Sequence, residues 1–273
     1  MITFPNAKIN LGLHITGLRP DGYHEIETIF YPVSIRDALE VVESETTKLN
    51  VSGTVSLECR NDDNLVMKAY RLMAANYAFV RHVDIYLKKA IPSGAGLGGG
   101  SSDAAFMLKL INDLYECGAT SDELEEIAAT IGADCPFFIR NKPVLATGMG
   151  NIFESTAVSL KGRCLCLVKP PFTVSTKEAY AGTTPRNPSF RLSELPLLPV
   201  CEWRNVLKND FEETVFRRYP EIGEIKAKLY SLGAEYAAMS GSGSAVFGIF
   251  AASTESDFAT IFPDYFVWKG MSD

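Results

Sequence analysis

Between Pro92 and Ala105 the chain reads PSGAGLGGGSSDAA, with five glycines in the seven residues from Gly94 to Gly100. Such text strips the backbone of side-chain bulk, so that amide N–H groups can crowd around an anion. The apolar-periodic stretch Ala104–Leu114 follows. The loop therefore opens a helix whose first amides lack intrahelical partners and whose dipole favours negative charge. A polyphosphate is the simplest ligand for that combination. Two charges elsewhere stand in apolar text. Lys8 is the only charged residue of PNAKINLGL, and Asp134 lies in GADCPFF. A charge buried among apolar side chains is costly unless paired, so each calls for a partner or a ligand. The plainer alternatives are a lysine snorkelling from a strand end and an aspartate capping the turn before Pro136.

The elements that must hold these groups are read from periodicity. Ala7–Ile15 alternates as a strand, Leu18–Gly22 (LRPDG) is a turn, and Ile26–Val33 returns as a strand. Ala38–Val42 and Leu49–Leu57 are further strand candidates. Asn61 to Asn64 supply capping residues for a helix striped by Leu65, Ala69, Leu72 and Met73. Val83–Lys88 reads as the strand leading into the glycine loop, and Ser102–Tyr115 as the helix leaving it. A second helix over Ser121–Ile131 opens on Ser-Asp-Glu-Leu and stops at Gly132, a natural residue past a helix end. Beyond a composition change near 148–161 come a buried strand (Leu165–Val168), a proline-rich loop over Tyr180–Pro199, helices near Asn209–Arg218 and Glu221–Leu232, and a small-residue turn followed by a strand over Ala237–Phe250. The order predicts an α+β protein of two domains, 1–155 and 156–273.

Composition narrows the function classes. At 273 residues the chain can bury a sizeable core, and its hydrophobic fraction of 47% is that of an ordinary globule. The net charge of -7 argues against a broad surface for nucleic acid or anionic membrane. No apolar run nears the roughly 18 residues of a membrane span, and the opening residues lack a signal-peptide pattern, so a cytoplasmic address is expected. The six cysteines, Cys164 and Cys166 among them, include no C-x-x-C pair and read as reduced, buried thiols.

Two familiar phosphate loops fail on context. Gly94, Gly96 and Gly99 form a literal G-x-G-x-x-G, but a dinucleotide-binding unit needs a second parallel strand after the helix, and here another helix follows. A P-loop needs G-K-[ST] at its end, and this loop ends Gly100-Ser101-Ser102. A bare connecting turn would be entropically costly with so many glycines. P-x-x-x-G-L-G-x-x-S-S-x-A-A instead resembles the phosphate loop of the GHMP kinase superfamily, which includes galactokinase and the homoserine and mevalonate kinases. PNAKINLGLHITGLRPDGYHEIETIF resembles that superfamily's first motif, and MSGSGSAVFGIF its third. The finer text A-K-I-N-L-x-L, D-G-Y-H-E-I, G-L-G-G-G-S-S-D-A-A and G-A-D-C-P-F-F is similar to the branch acting on a cytidine-diphosphate-linked methylerythritol in the non-mevalonate route to isoprenoid precursors. The resemblance runs end to end.

That resemblance implies a fold and a set of roles. The N-terminal domain is expected to share the ribosomal S5 domain 2-like fold, and the C-terminal domain to be ferredoxin-like. ATP is the expected phosphate donor, with Mg²⁺, and the acceptor is the 2-hydroxyl of 4-(cytidine 5′-diphospho)-2-C-methyl-D-erythritol. Pro92, Ser93, Gly94, Ala95, Gly96, Leu97, Gly98, Gly99, Gly100, Ser101 and Ser102 would wrap the triphosphate. Asn64 would contact adenine, although a simple helix cap explains it nearly as well. Asp134 is the implied general base, paired with Lys8. Asn10, on the face of Lys8 by the two-residue period, would bind substrate. Tyr23 would stack on the cytosine, His24 would hydrogen-bond it and Tyr180 would lie on its other face. Thr176, Gly241 and Ser242 are weaker acceptor-side candidates. Asp103 stands open between metal ligand and plain first-turn residue, and the oligomeric state is open. Another GHMP small-molecule kinase is the alternative enzyme reading. A non-catalytic S5-like RNA binder is the alternative from another class, against which the acidic balance speaks.

Overall fold

The computed structural model of the chain describes residues 1–53 and 63–272. In chain order it runs β1 (Ile2–Thr3), β2 (Asn6–Leu18), β3 (His24–Arg36), β4 (Ala38–Glu43), β5 (Lys48–Gly53), α1 (Leu65–Asn76), β6 (Val83–Lys89), α2 (Gly99–Leu114), α3 (Ser121–Ile131) and α4 (Phe137–Arg140). It continues with β7 (Val144–Thr147), β8 (Ile152–Ser155), β9 (Cys164–Lys169), α5 (Thr176–Ala181), α6 (Val200–Val206), α7 (Phe211–Arg218), α8 (Pro220–Ser231), β10 (Tyr236–Met239), β11 (Val246–Phe250), α9 (Phe258–Ile261) and β12 (Phe266–Met271). The strand expected over Leu49–Leu57 is described only to Gly53, and Asn61 of the expected cap lies outside the described residues.

The chain divides into two compact units. The first comprises Met1–Ala7, Ile35–Ser93 and Gly98–Lys142. Its sheet has the order β1-β4-β6-β5, with β4 antiparallel to β1 and β6, and β5 parallel to β6. Period-two alternation buries Leu39 and Val41 of β4 and Val83, Ile85 and Leu87 of β6 on one face. Helix α1 packs against α2 through Val66, Ala69 and Met73, while α2 turns Ala104, Met107, Leu108 and Ile111 inward. Helix α3 spans the expected Ser121–Ile131, but its N-cap is Thr120 rather than Ser121. Thr120 accepts from the Glu123 amide at 3.3 Å and Glu123 reaches back to the Thr120 amide at 2.8 Å, a complete capping box. Gly132 ends α3 in extended rather than left-handed backbone (φ -176°), and a Cβ there would press to 3.3 Å from the Cys135 sulfur.

The second unit comprises Lys8–Ser34, Gly94–Leu97 and Pro143–Asp273. It holds the sheet β2-β3-β7-β8 and the sheet β10-β11-β9-β12. In the latter, β11 and β12 both run antiparallel to β9, and β10 antiparallel to β11. The succession β9, helices, β10, β11, α9, β12 with that order is the ferredoxin-like arrangement expected of the C-terminal half. Its core gathers Cys164, Cys166 and Val168 of β9, Ile222, Ile225 and Leu229 of α8, and Val246 and Phe250 of β11. Helix α6 and strand β12 lack a clear signal in the sequence and emerge only from their pairing and packing.

Candidate active site

The glycine loop is built by alternation. Gly94, Gly96 and Gly98 take φ of +59°, +73° and +71°, a region that side chains other than glycine enter at a cost. Between them Ala95 and Leu97 are buried and anchor the chain. Gly98 is the N-cap of α2, so the amides of Gly99, Gly100 and Ser101 stand at the helix start without intrahelical acceptors. The tip, Gly94–Leu97, belongs to the second unit. There the Ala245 amide donates to Ala95 O at 3.2 Å, the Ser240 hydroxyl to Gly96 O at 2.9 Å, and the Lys8 amide to Leu97 O at 2.9 Å. A Cβ on Gly96 would lie inside the van der Waals envelope of the Ser240 carbonyl oxygen. Asn209 braces the opposing turn by donating from Nδ2 to Met239 O and Gly241 O, both at 2.8 Å.

The residues flanking the loop in the first unit rest on a buried charge cluster. The Lys89 ammonium bridges Asp37 and Asp103, the latter at 2.7 Å. Asp37 also accepts from the amides of Ala90 (2.5 Å) and Ile91 (2.9 Å), directly before Pro92. One lysine thus ties the strand that enters the loop to the helix that leaves it; because α2 begins at Gly99 rather than at the expected Ser102, Asp103 lies beyond its first turn. Burial works against the Lys89 charge, but Asp103 and Asp37 outweigh it and hold its pKa above the usual lysine range. Burial pushes the Asp103 carboxyl up to about 7, with Asp37 adding to the rise and Lys89 opposing it. In the structure Asp103 is paired with the Lys89 ammonium. Among the described residues no group of three or more His, Cys, Asp or Glu is placed to hold a metal ion.

Asp134 lies half-buried in the turn between α3 and α4, in the first unit. The Ser101 hydroxyl hydrogen-bonds the neighbouring Cys135 sulfur, whose thiol burial pushes up to about 11. That contact sets the Asp134 turn beside the first turn of α2. Asn64 caps α1, accepting from the Val66 amide at 2.9 Å. Ser101 is half-buried, whereas the Ser102 side chain is fully buried and its hydroxyl has no hydrogen-bond partner among the described residues. Ser102 thus faces the interior, and its amide donates within the helix to Gly98 O at 2.9 Å.

Every residue assigned to the acceptor falls in the second unit. Lys8 and Asn10 are buried on β2, with Lys8 Nζ donating to Asn10 Oδ1 at 2.7 Å and lying 4.9 Å above the Phe30 ring. Asn10 Nδ2 donates to Thr28 Oγ1 at 3.0 Å, and Thr28 donates to Gly12 O at 2.5 Å. At the β2–β3 turn, Tyr23 is 65% exposed. The His24 ring stacks on Tyr180 at 4.6 Å, and Tyr180 meets Phe211 edge-on at 4.7 Å. Thr176 and Ser242 pair through their hydroxyls at 3.2 Å, and Gly241 is buried in the turn that Asn209 holds. His14 is structural, lying 3.9 Å from Asp210, itself an acceptor for the Ile15 amide. Lys169, buried at the end of β9, donates to Pro170 O and Phe172 O. Asp37, Lys89, Thr28, Asn209 and Ser240 were not singled out from sequence. The two-residue period places Asp37 with Ile35, Leu39 and Val41, and Lys89 with Val83, Ile85 and Leu87, so a charge on a buried face was the available signal.

Two α+β domains with a glycine loop opening a helix are the arrangement of a GHMP kinase, and the comparisons show that family. Residues 64–142 match the family model described as GHMP kinases N terminal domain, and residues 201–262 match GHMP kinases C terminal. The 4-diphosphocytidyl-2-C-methyl-D-erythritol kinase of Parabacteroides distasonis is 56% identical over 99% of both chains, and that of Bacteroides fragilis 54% over 96% of this chain and 97% of its own. A crystal structure of 4-(cytidine 5′-diphospho)-2C-methyl-D-erythritol kinase superposes with a TM-score of 0.84 at 31% identity, covering 99% of this chain and 98% of that one. The mevalonate kinase of Methanococcus jannaschii shares the fold, with a TM-score of 0.72 at 13% identity, 100% of this chain and 98% of that one. The chain belongs to the 4-diphosphocytidyl-2-C-methyl-D-erythritol kinase family. Among the described residues no helix is long and apolar enough to cross a membrane.

Two outcomes follow from this geometry. Gly96→Ala must displace the Ser240 turn, so it is expected to cost at least about 3 kcal/mol in urea unfolding. Gly22→Ala also has positive φ but meets nothing within 4 Å, and should cost only about 1 kcal/mol. For Asp103, a carboxyl whose pKa is raised in the fold binds its proton more tightly there than in the unfolded chain. Its contribution to stability therefore falls as pH rises from the ordinary value of 3.8 through about 7. Asp103→Asn cannot ionise, so the variant should gain stability relative to the parent between pH 5 and pH 8. Parallel unfolding free energies at the two pH values would refute this.

Proposed function

We propose that this chain transfers the γ-phosphate of ATP to the 2-hydroxyl of 4-(cytidine 5′-diphospho)-2-C-methyl-D-erythritol. The observation that carries the reading is the end-to-end identity with relatives of that name, which spans both domains and all the motifs quoted above. We take residues 1–155 and 156–273 as the two GHMP kinase domains. Asp134 takes the proton of the acceptor hydroxyl as its oxygen bonds to the γ-phosphorus, while the bond from that phosphorus to the bridging oxygen breaks and ADP departs. Lys8 stabilises the negative charge on the transferring group, and Asn10 fixes its ammonium. The amides of Gly99, Gly100 and Ser101 hold the triphosphate at the dipole-positive end of α2, with the rest of the loop from Pro92 to Ser102 around it.

Tyr23, His24 and Tyr180 receive the cytosine, with Thr176, Gly241 and Ser242 on the acceptor side. Base stacking on aromatic rings is worth about 1–3 kcal/mol. Asn64 contacts adenine while capping α1. Mg²⁺ is the expected companion of ATP. Asp103 is paired with Lys89, and among the described residues no cluster of three or more His, Cys, Asp or Glu forms a dedicated cage for the ion. The reading places the protein in the cytoplasm with small-molecule partners rather than nucleic acid or membrane, in keeping with its charge of -7.

ADP release measured in parallel with the cytidine-diphosphate-linked methylerythritol, mevalonate and homoserine should be rapid with the first alone. Turnover of mevalonate or homoserine at a similar rate would replace the reading with another GHMP kinase. Asp134→Asn should lower kcat by at least about 100-fold while the Kd for ATP stays within about twofold. Near-normal turnover of that variant removes Asp134 from the base role.

A further inference from the structure

Thr28 has no assigned role, yet its hydrogen bonds determine the orientation of its neighbours. Its side chain is fully buried, with Oγ1 at 2.5 Å from the carbonyl oxygen of Gly12 and 3.0 Å from Asn10 Nδ2. A carbonyl only accepts, so the single Thr28 hydroxyl proton points at Gly12. The lone pairs of Oγ1 then face Asn10, which must present its NH₂ group. The carbonyl end of the same amide is thereby aimed at Lys8, whose Nζ donates to it at 2.7 Å. Turning the amide over would demand the Thr28 proton for Asn10 and leave Gly12 O facing a lone pair. It would also set an NH₂ group against an ammonium. Both mismatches would be buried, where an unmet polar group is costly.

The carbonyl that starts the chain is itself fixed. Gly12 takes φ of +69°, and a Cβ there would meet Leu192 Cδ2 at 2.8 Å and Leu207 Cδ2 at 3.2 Å, so the backbone turn that aims its oxygen at Thr28 is packed in place. The Phe30 ring, two residues beyond Thr28 on the same strand, lies under the Lys8 ammonium. Strand β3 therefore supplies both the acceptor that orders Asn10 and an aromatic face beneath Lys8.

We propose that Thr28 is a positioning residue for phosphoryl transfer, acting through Asn10 to hold the Lys8 ammonium in register. This rests on the reading that Lys8 serves the transfer. Thr28→Val keeps the shape and removes the hydroxyl. It should lower kcat at least about tenfold, with the KM for ATP within about twofold, because the displaced group acts on the reacting charge rather than on the nucleotide. Thr28→Ser restores the hydroxyl and should return kcat to within about threefold of the parent. Lys8→Met should lose at least as much as Thr28→Val, and adding Thr28→Val to it should cost nothing further, since the two act along one chain.

If Thr28→Val does not fold by circular dichroism, Thr28→Cys, close in size and a weak donor and acceptor, should show the same loss confined to kcat. A normal kcat in folded Thr28→Val or Thr28→Cys beside an inactive Lys8→Met overturns the positioning role and leaves the reading intact. A near-normal kcat in Lys8→Met overturns the reading itself. Loss of ATP affinity together with kcat in Thr28→Val would mark a general structural role and equally overturn the proposal.

Discussion

Close approach of backbone to backbone at Gly96 is the constraint on which the phosphate loop depends. A chain that presents amides to an anion must leave its outer side bare, so the loop cannot be held by its own side chains over most of its length. Ala95 and Leu97 are the exceptions, and both point inward. The tip is gripped instead through main-chain atoms, with carbonyls of three successive residues accepting from Ala245, Ser240 and Lys8. That grip requires the residues around Ser240 to be small and their turn to be rigid, which is where Asn209 enters. Its amide spans two carbonyls of that turn and leaves Oδ1 to accept from Phe211 N at 3.0 Å, the start of α7. The second glycine-serine turn of the sequence therefore has a mechanical task beside any contact with ligand.

Buried ammonium groups form the second layer, and the choice of acceptor separates their tasks. Lys89 meets two carboxylates, so its charge is spent on holding the loop's flanks together. Lys169 meets two carbonyls and ties down the bend after β9; burial lowers its pKa, as expected for a cation with neutral acceptors. Lys8 Nζ donates to the amide oxygen of Asn10, a neutral acceptor whose own orientation is fixed by Thr28.

The parts legible in the sequence are those where a rare residue type stands in unfitting text: glycines crowded before a helix, a lysine in a core strand, an aspartate among Cys, Pro and Phe. The α3 boundaries were legible because capping chemistry is local, though Thr120 rather than Ser121 carries it. The supporting residues were harder to see because their partners are distant along the chain. Asp37 and Lys89 are separated by 52 positions, and Tyr31 and Leu160, joined through the Tyr31 hydroxyl, by 129. Thr28 is an ordinary strand threonine until Gly12 and Asn10 are brought to it. Strand β12 is defined by its register with β9, about a hundred positions earlier, and its own text alternates too weakly to announce it.

Residues assigned to nucleotide and acceptor also distribute differently. Those for the nucleotide are nearly continuous in sequence, because a phosphate nest is made from consecutive amides and cannot be assembled piecemeal. Those for the acceptor come from β2, the turn before β3, α5 and the turn after β10, all within the second unit. A set collected from separate elements can change one member at a time without disturbing the loop that holds ATP. This is the physical condition under which one fold serves several acceptor alcohols. It also explains why the loop announced a kinase while the turn bearing Tyr23 and His24 was needed to suggest which one. The loop's composition is dictated by backbone geometry common to any triphosphate, whereas an aromatic and an imidazole at a strand turn have no such obligation.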